Sequence, residues 1–186
     1  MAAGDDNRIA GMKKNALVCL FLLAAAVATR LFPHSWNFAP VTAVAIVAAV
    51  YLPLRMAIAL PLAIRFVSDV FLGFFGLKLM IAVYLAHLFG VLAGLWVKRN
   101  KSSYRVLAAP AASAIVFFLV TNFAFLYPPS AYTHNLSGVI SAYINGLPFL
   151  RGTLLGDIVY TVALIYGYQA ILYFQKNYKL AEIKKI

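Results

Sequence analysis

The chain alternates between long apolar runs and short polar or basic segments, and the lengths of the runs set the expected architecture. A helix needs about 20 residues to cross the hydrocarbon core of a bilayer, somewhat fewer where its ends are polar. Six candidate spans result: Asn15 to Phe32, Ala39 to Pro53, Arg55 to Phe75, Leu77 to Val97, Arg105 to Tyr127, and Thr153 to Gln175. The second is short and shares the turn Tyr51-Leu52-Pro53-Leu54-Arg55 with the third, which predicts a close hairpin. Pro53 fits a helix boundary there, and Pro61 kinks the third span or marks its first turns.

Between spans five and six, Leu136, Val139, Ile140, Tyr143 and Leu147 recur at helical spacing, with Ser137, Ser141 and Asn145 on another face. That pattern predicts a short amphipathic helix at the outer interface, either a lid or a surface helix that closes the bundle. The expected fold class is therefore all-α. It is a polytopic membrane domain over 15–175, with a cytoplasmic N-terminal tail at 1–14 and a basic cytoplasmic C-terminal tail at 176–186. Lys13 and Lys14 before an apolar stretch containing Ala26-Val27-Ala28 also fit a signal peptide. The apolar run continues to Phe32, which suits a retained span, and Met12-Lys13-Lys14 looks like an alternative translation start.

Composition supports the membrane reading: 64% of residues are hydrophobic and 11% charged, with a mean hydropathy of +0.88, far from the makeup of a soluble domain. The formal charge of +11 sits in short segments between apolar runs and forms no stripe on a polar domain, so lipid head groups and membrane orientation explain it better than nucleic acid. With the N-terminus inside, twelve Lys and Arg fall on inner segments and three (Arg30, Lys78, Arg151) on outer ones. That is the positive-inside bias of a protein with both termini in the cytoplasm of a bacterial inner membrane. Cys19, the single cysteine, excludes an intrachain disulfide and reads as a small packing residue.

Only Asp69 and Asp157 carry acidic side chains between Arg8 and Lys179, and both lie inside apolar runs. An ionised carboxylate in hydrocarbon is costly unless it faces protein or a wet cavity. Arg65 and Asp69 are four apart and share a helix face. At about 1.5 Å rise per residue, Asp69, Asp157, Thr121 and Asn122 fall at one outer level, just below the loop Pro33-His34-Ser35-Trp36-Asn37. We therefore expect an outward cavity lined by Asp69, Asn122 and Asp157, with Arg65 at its floor, Asn37 at its rim and Trp36, Tyr143 or Phe149 as aromatic walls. Two carboxylates against one arginine predict a cationic or hydrogen-bond-donating ligand. His87 reads as a packing histidine, and His34 and His134 lack the partners of a metal site, so neither a metal nor a cofactor is expected. Ala24 with Ala28, Ala45 with Ala49, and Gly90 with Gly94 are small-residue pairs that let helices approach closely.

Arg30-Leu31-Phe32-Pro33-His34, Asn37-Phe38-Ala39-Pro40-Val41, Ser68-Asp69 with Leu72-Gly73-Phe74, Val120-Thr121-Asn122-Phe123, Pro148-Phe149 and Thr153-Leu154-Leu155-Gly156-Asp157 resemble the motifs of a bacterial membrane family known only as a domain of unknown function, from Leu17 to about Gly167. The architecture is also similar to the substrate-binding S components of energy-coupling-factor vitamin transporters. That resemblance implies an outer ligand cavity and a docking face at Ala24 and Ala28 for a transmembrane coupling subunit, with ATPases as further partners. The vitamin-specific motifs of the characterised members are not found here. No phosphate-binding Gly-x-x-x-x-Gly-Lys loop is present, so ATP-driven work would fall to partner chains.

The reading favoured by these residues is a non-enzymatic, substrate-binding subunit of a small-solute uptake transporter. A structural or assembly subunit of a larger membrane complex is the alternative. An intramembrane aspartyl protease would use paired aspartates, but the sequence around Asp69 lacks that family's other motifs. A proton-coupled carrier acting alone fits poorly with a chain of 186 residues that shows no inverted repeat.

Overall fold

The computed structural model describes residues 2–33 and 37–183, with side chains described for 10–33, 37–175 and 177. Among the described residues there are six helices and one single-turn 3₁₀ segment. They are α1 (Ala2–Leu31), α2 (Val41–Tyr51), α3 (Leu54–Leu72), α4 (Leu77–Arg99), α5 (Ser103–Thr121), the 3₁₀ turn (Ala124–Leu126) and α6 (Leu136–Ile183). Four helical stretches are long and apolar enough to cross a membrane: Ala10–Leu31, Leu77–Arg99, Ser103–Thr121 and Leu136–Gln175. The protein is an all-helical membrane protein. In α3, 19 residues long, Arg55, Arg65 and Asp69 interrupt the apolar character.

α2 is the axis of the bundle. Its eleven residues rise about 16 Å, roughly half the hydrocarbon core, and Val41 to Val50 are all buried. The sequence Val-Thr-Ala-Val-Ala-Ile-Val-Ala-Ala-Val keeps every side chain short, so α3, α4, α5 and α6 all pack against it. The closest approach is to α4, where the two small-residue pairs face each other. A methyl group built on Gly90 would lie 3.2 Å from the Ala45 methyl, and one on Gly94 would lie 2.7 Å from that of Ala49 and collide with the Ile46 carbonyl. Gly94→Ala is therefore expected to destabilise the fold by about 1–3 kcal/mol through overpacking, measured as a lower thermal midpoint in detergent. An unchanged midpoint would mean that α2 and α4 separate without cost.

The connection between α5 and α6 departs from expectation. The amphipathic stretch and the sixth span are one continuous helix of 48 residues, not a short outer helix followed by a break. Asn135 starts it, its Oδ1 accepting from the Gly138 amide at 3.0 Å. Pro148 lies inside it, tolerated because α6 is supported along its flank by α5 and loses only one backbone bond. Within it the small residues, not the large apolar ones, face the bundle. Gly138, Ala142 and Gly146 are buried, while Leu136, Ile140 and Leu147 are exposed. Large apolar side chains suit lipid, and small ones suit helix contacts, so in a bilayer the small stripe marks the protein side.

At both termini the helices run past the expected span limits: α1 starts at Ala2, not Asn15, and α6 continues to Ile183, not Gln175.

Candidate functional site

Two buried polar clusters and one cavity occupy the end of the bundle where α1 finishes and α4 begins. The first cluster is built on Asp69, in the last turn of α3 and 1% exposed. Arg65, one turn earlier on the same face, places Nη2 3.1 Å from Asp69 Oδ2. Arg30, in the last turn of α1, places Nη2 3.0 Å from Oδ1. The Tyr84 hydroxyl of α4 donates to Oδ2 at 3.0 Å. One carboxylate thus joins three helices, and two guanidiniums share it, leaving one positive charge uncompensated at this spot. The Nε atoms of Arg30 and Arg65 have no hydrogen-bond partner among the described residues.

The second cluster is centred on Asp157 of α6, also 1% exposed. It is hydrogen-bonded by the Thr42 side chain in the first turn of α2, and Thr42 Oγ1 lies 3.3 Å from His87 Nδ1 of α4. The His87 ring packs on Phe117 of α5 at 4.9 Å between centroids. Asp157 Oδ2, His87 Nε2 and, one turn along α6, Thr161 Oγ1 are buried without partners among the described residues. This polar ladder ties α6, α2 and α4 through their shared interior, and His87 is the packing histidine expected.

The two carboxylates do not converge on a common void, contrary to the geometry expected from their depth. Asp69 is saturated by Arg30, Arg65 and Tyr84, and Asp157 is turned toward α2. A cavity of about 440 Å³ does open beside them, lined by Arg65 but by neither aspartate. Among the described residues, Arg65 is its only charged wall. Asn37, Asn122 and Asn145 supply amides, and Phe75, Phe117, Tyr127, Tyr132 and Phe149 supply aromatic surface. Segments from the α1–α2 connection to α6 therefore contribute, and the expected contributions of Arg65, Asn122, Asn37 and Phe149 are present.

The α5–α6 connection forms one wall. The Tyr127 hydroxyl donates to the Thr121 carbonyl at 2.9 Å, the Tyr127 and Tyr132 rings meet edge to face at 5.2 Å, and His134 Nε2 lies 3.0 Å from the Tyr127 carbonyl. Asn122 Nδ2 donates to the Phe118 carbonyl at 2.9 Å, and its Oδ1 faces Gly146, where any Cβ would collide with it. Asn37, with φ of 57°, adopts a left-handed conformation that asparagine tolerates better than most residues. Tyr143 does not line the cavity: its hydroxyl donates to the Leu119 carbonyl at 2.8 Å and its ring packs on Phe118. Trp36, with His34, lies outside the described residues. Ala24 is exposed and Ala28 half-buried on α1, which packs mainly on α3. No group of three His, Cys, Asp or Glu able to hold a metal occurs among the described residues.

Sequence reasoning missed Arg30 and Tyr84 as partners of Asp69, and Thr42 as the partner of Asp157. Each pairing crosses between helices and depends on how the bundle packs. Tyr127, Tyr132 and Asn145 left a weaker signal, as aromatic and amide residues near the predicted outer helix.

Compared with known families, residues 11–181 match a family of unknown function, DUF6580. The chain belongs to that family. The DUF6580 match takes in all of α2 to α5 and both polar clusters, so the site lies within the shared domain. No curated protein and no solved structure matches the chain. Membership of DUF6580 carries no activity with it, and no match links the chain to S components, so chemistry has to be read from the cavity.

Proposed function

We propose that this protein is a solute-binding membrane subunit of an uptake transporter, similar in role to an S component, and that its ligand is a small anionic molecule with an aromatic or apolar body. The carrying observation is the character of the cavity. Among the described residues its only charged wall is a guanidinium with an unpartnered Nε, in a cluster with one positive charge in excess, surrounded by aromatic rings and three amides. A carboxylate or phosphate on the ligand would complete that charge balance, while the rings would hold its body. This reverses the cationic ligand expected from counting two aspartates against one arginine, because both aspartates are committed elsewhere.

The orientation that accompanies this reading puts both termini in the cytoplasm of a bacterial inner membrane. The cavity then opens outward, opposite the basic cluster at Lys98, Arg99, Lys101 and Arg105. All six helices belong to the membrane domain, with α3 tolerated in hydrocarbon because Arg65 and Asp69 are paired, and α2 shielded by its neighbours. Energy for uptake would come from partner chains, docked on α1 at Ala24 and Ala28. The second reading, an assembly subunit of a larger complex, draws on the same exposed Ala24 face of α1 and needs no ligand.

Solute extraction distinguishes them. Protein purified in mild detergent and denatured in organic solvent should release a carboxylate- or phosphate-bearing solute, identified by mass spectrometry, in near-stoichiometric amount. Release of an amine, or copurification of a fixed set of membrane proteins with no solute, would refute the transport reading.

A further inference from the structure

A second opening, of about 480 Å³, lies at the other end of the bundle between α1, α2 and α6. α1 leans on α3 and touches α2 only lightly, so a groove remains along the side of α2. Its walls are apolar through Leu17, Phe21, Val47 and Leu164, and Lys14 stands at its end. There Tyr51 and Tyr168 meet with ring centroids 4.5 Å apart, and Lys101 of the α4–α5 turn holds Nζ 4.5 Å from the Tyr51 centroid. The ion pairs among the described residues all involve Asp69, so neither lysine has an acidic partner among them.

We infer that this groove is a binding site for one anionic phospholipid, with an acyl chain against α2 and the phosphate between Lys14 and Lys101. Charge complementarity selects that occupant. An apolar trough with Lys14 on its wall and Lys101 on the ring of Tyr51, which also lines it, matches a hydrocarbon chain joined to an anionic head group, and basic residues at a membrane surface attract anionic lipids. A second copy of the chain, with a net charge of +11, would bring its own lysines against this basic end. The site is independent of the Arg65 cavity.

The test uses the full-length protein in neutral detergent, titrated with dioleoylphosphatidylglycerol, dioleoylphosphatidylcholine or glycerol phosphate, and read by native mass spectrometry and thermal unfolding. Phosphatidylglycerol should bind and raise the midpoint more than phosphatidylcholine, and glycerol phosphate should do nothing. Lys14→Ala with Lys101→Ala should weaken phosphatidylglycerol on the order of tenfold, to the level of phosphatidylcholine. Gly167→Leu should remove binding of both lipids, since a Cβ at Gly167 meets nothing within 4 Å and leucine there fills the groove without disturbing the helices. The lysine variants alter surface side chains and keep the test decisive even if Gly167→Leu misfolds. Equal binding of the two lipids, full binding by the double lysine variant, stabilisation by glycerol phosphate alone, or a dimer that Gly167→Leu dissociates would each overturn the proposal.

Discussion

Asp69→Asn is expected to destabilise the protein by about 3–5 kcal/mol, the cost of stranding a buried charge by removing its partner. The size follows from the arrangement around the carboxylate. Arg30 and Arg65 both face it at 3.0 and 3.1 Å, and Tyr84 donates to it. Asparagine would keep the shape and one acceptor oxygen but leave two guanidiniums without a counter-charge, in a region where water cannot readily compensate. Because Asp69 ties α1 and α4 to α3, the loss should appear as early separation of α1, seen as faster proteolysis in the α1–α2 connection. The measurement is unfolding in detergent followed by circular dichroism, with Arg30→Gln as control. That control removes one of two cations and should cost less. If Asp69→Asn unfolded within 1 kcal/mol of the natural protein, at the scale of one ordinary hydrogen bond, the cluster would not hold the helices together.

Arg65→Gln separates stability from binding. Asp69 keeps Arg30 and Tyr84 after this change, so the fold should survive, whereas the cavity loses the guanidinium that lines it. Hydrogen bonds to a charged group contribute about 1.5–3 kcal/mol, so affinity for an anionic solute should fall roughly ten- to hundredfold. Isothermal calorimetry with the solute recovered by extraction provides the comparison. The enthalpy should become less favourable, and binding should lose most of its preference for the anionic form over the matching amide or methyl ester. An equal loss for charged and uncharged forms would instead indicate a general collapse of the cavity. Unchanged affinity would place the ligand elsewhere.

How much of this was legible in the chain depended on whether the information was local. Arg65 with Asp69 is an i,i+4 pair and needed no tertiary knowledge. The Gly90/Gly94 and Ala45/Ala49 pairs announced close packing, although only the bundle showed that they face each other. Depth alone places Asn122 and Asn37 near the level of Arg65 and Asp69, since helices crossing one slab bring residues of equal depth together. Depth does not fix azimuth, however. Asp157 lies at the expected level and still turns to Thr42, and Tyr143 turns to the Leu119 carbonyl. The same missing angle hid Arg30, which had been counted only as a charge on an outer segment. In α6 the helical spacing of Leu136, Ile140 and Leu147 marks an apolar face but not what it meets: in a membrane that face meets lipid, and the stripe of Gly138, Ala142 and Gly146 packs inward.

The most direct test of the central claim, that the Arg65 cavity selects an anionic solute, uses matched probes. The purified natural protein and Arg65→Gln would be titrated by calorimetry with a panel of small aromatic and aliphatic carboxylates, each paired with the amine on the same skeleton. Carboxylates should outbind their amines in the natural protein, with the largest gap for aromatic skeletons, and the gap should close in Arg65→Gln. Stronger binding of the amines, no binding from either series, or a preference that Arg65→Gln leaves intact would contradict it.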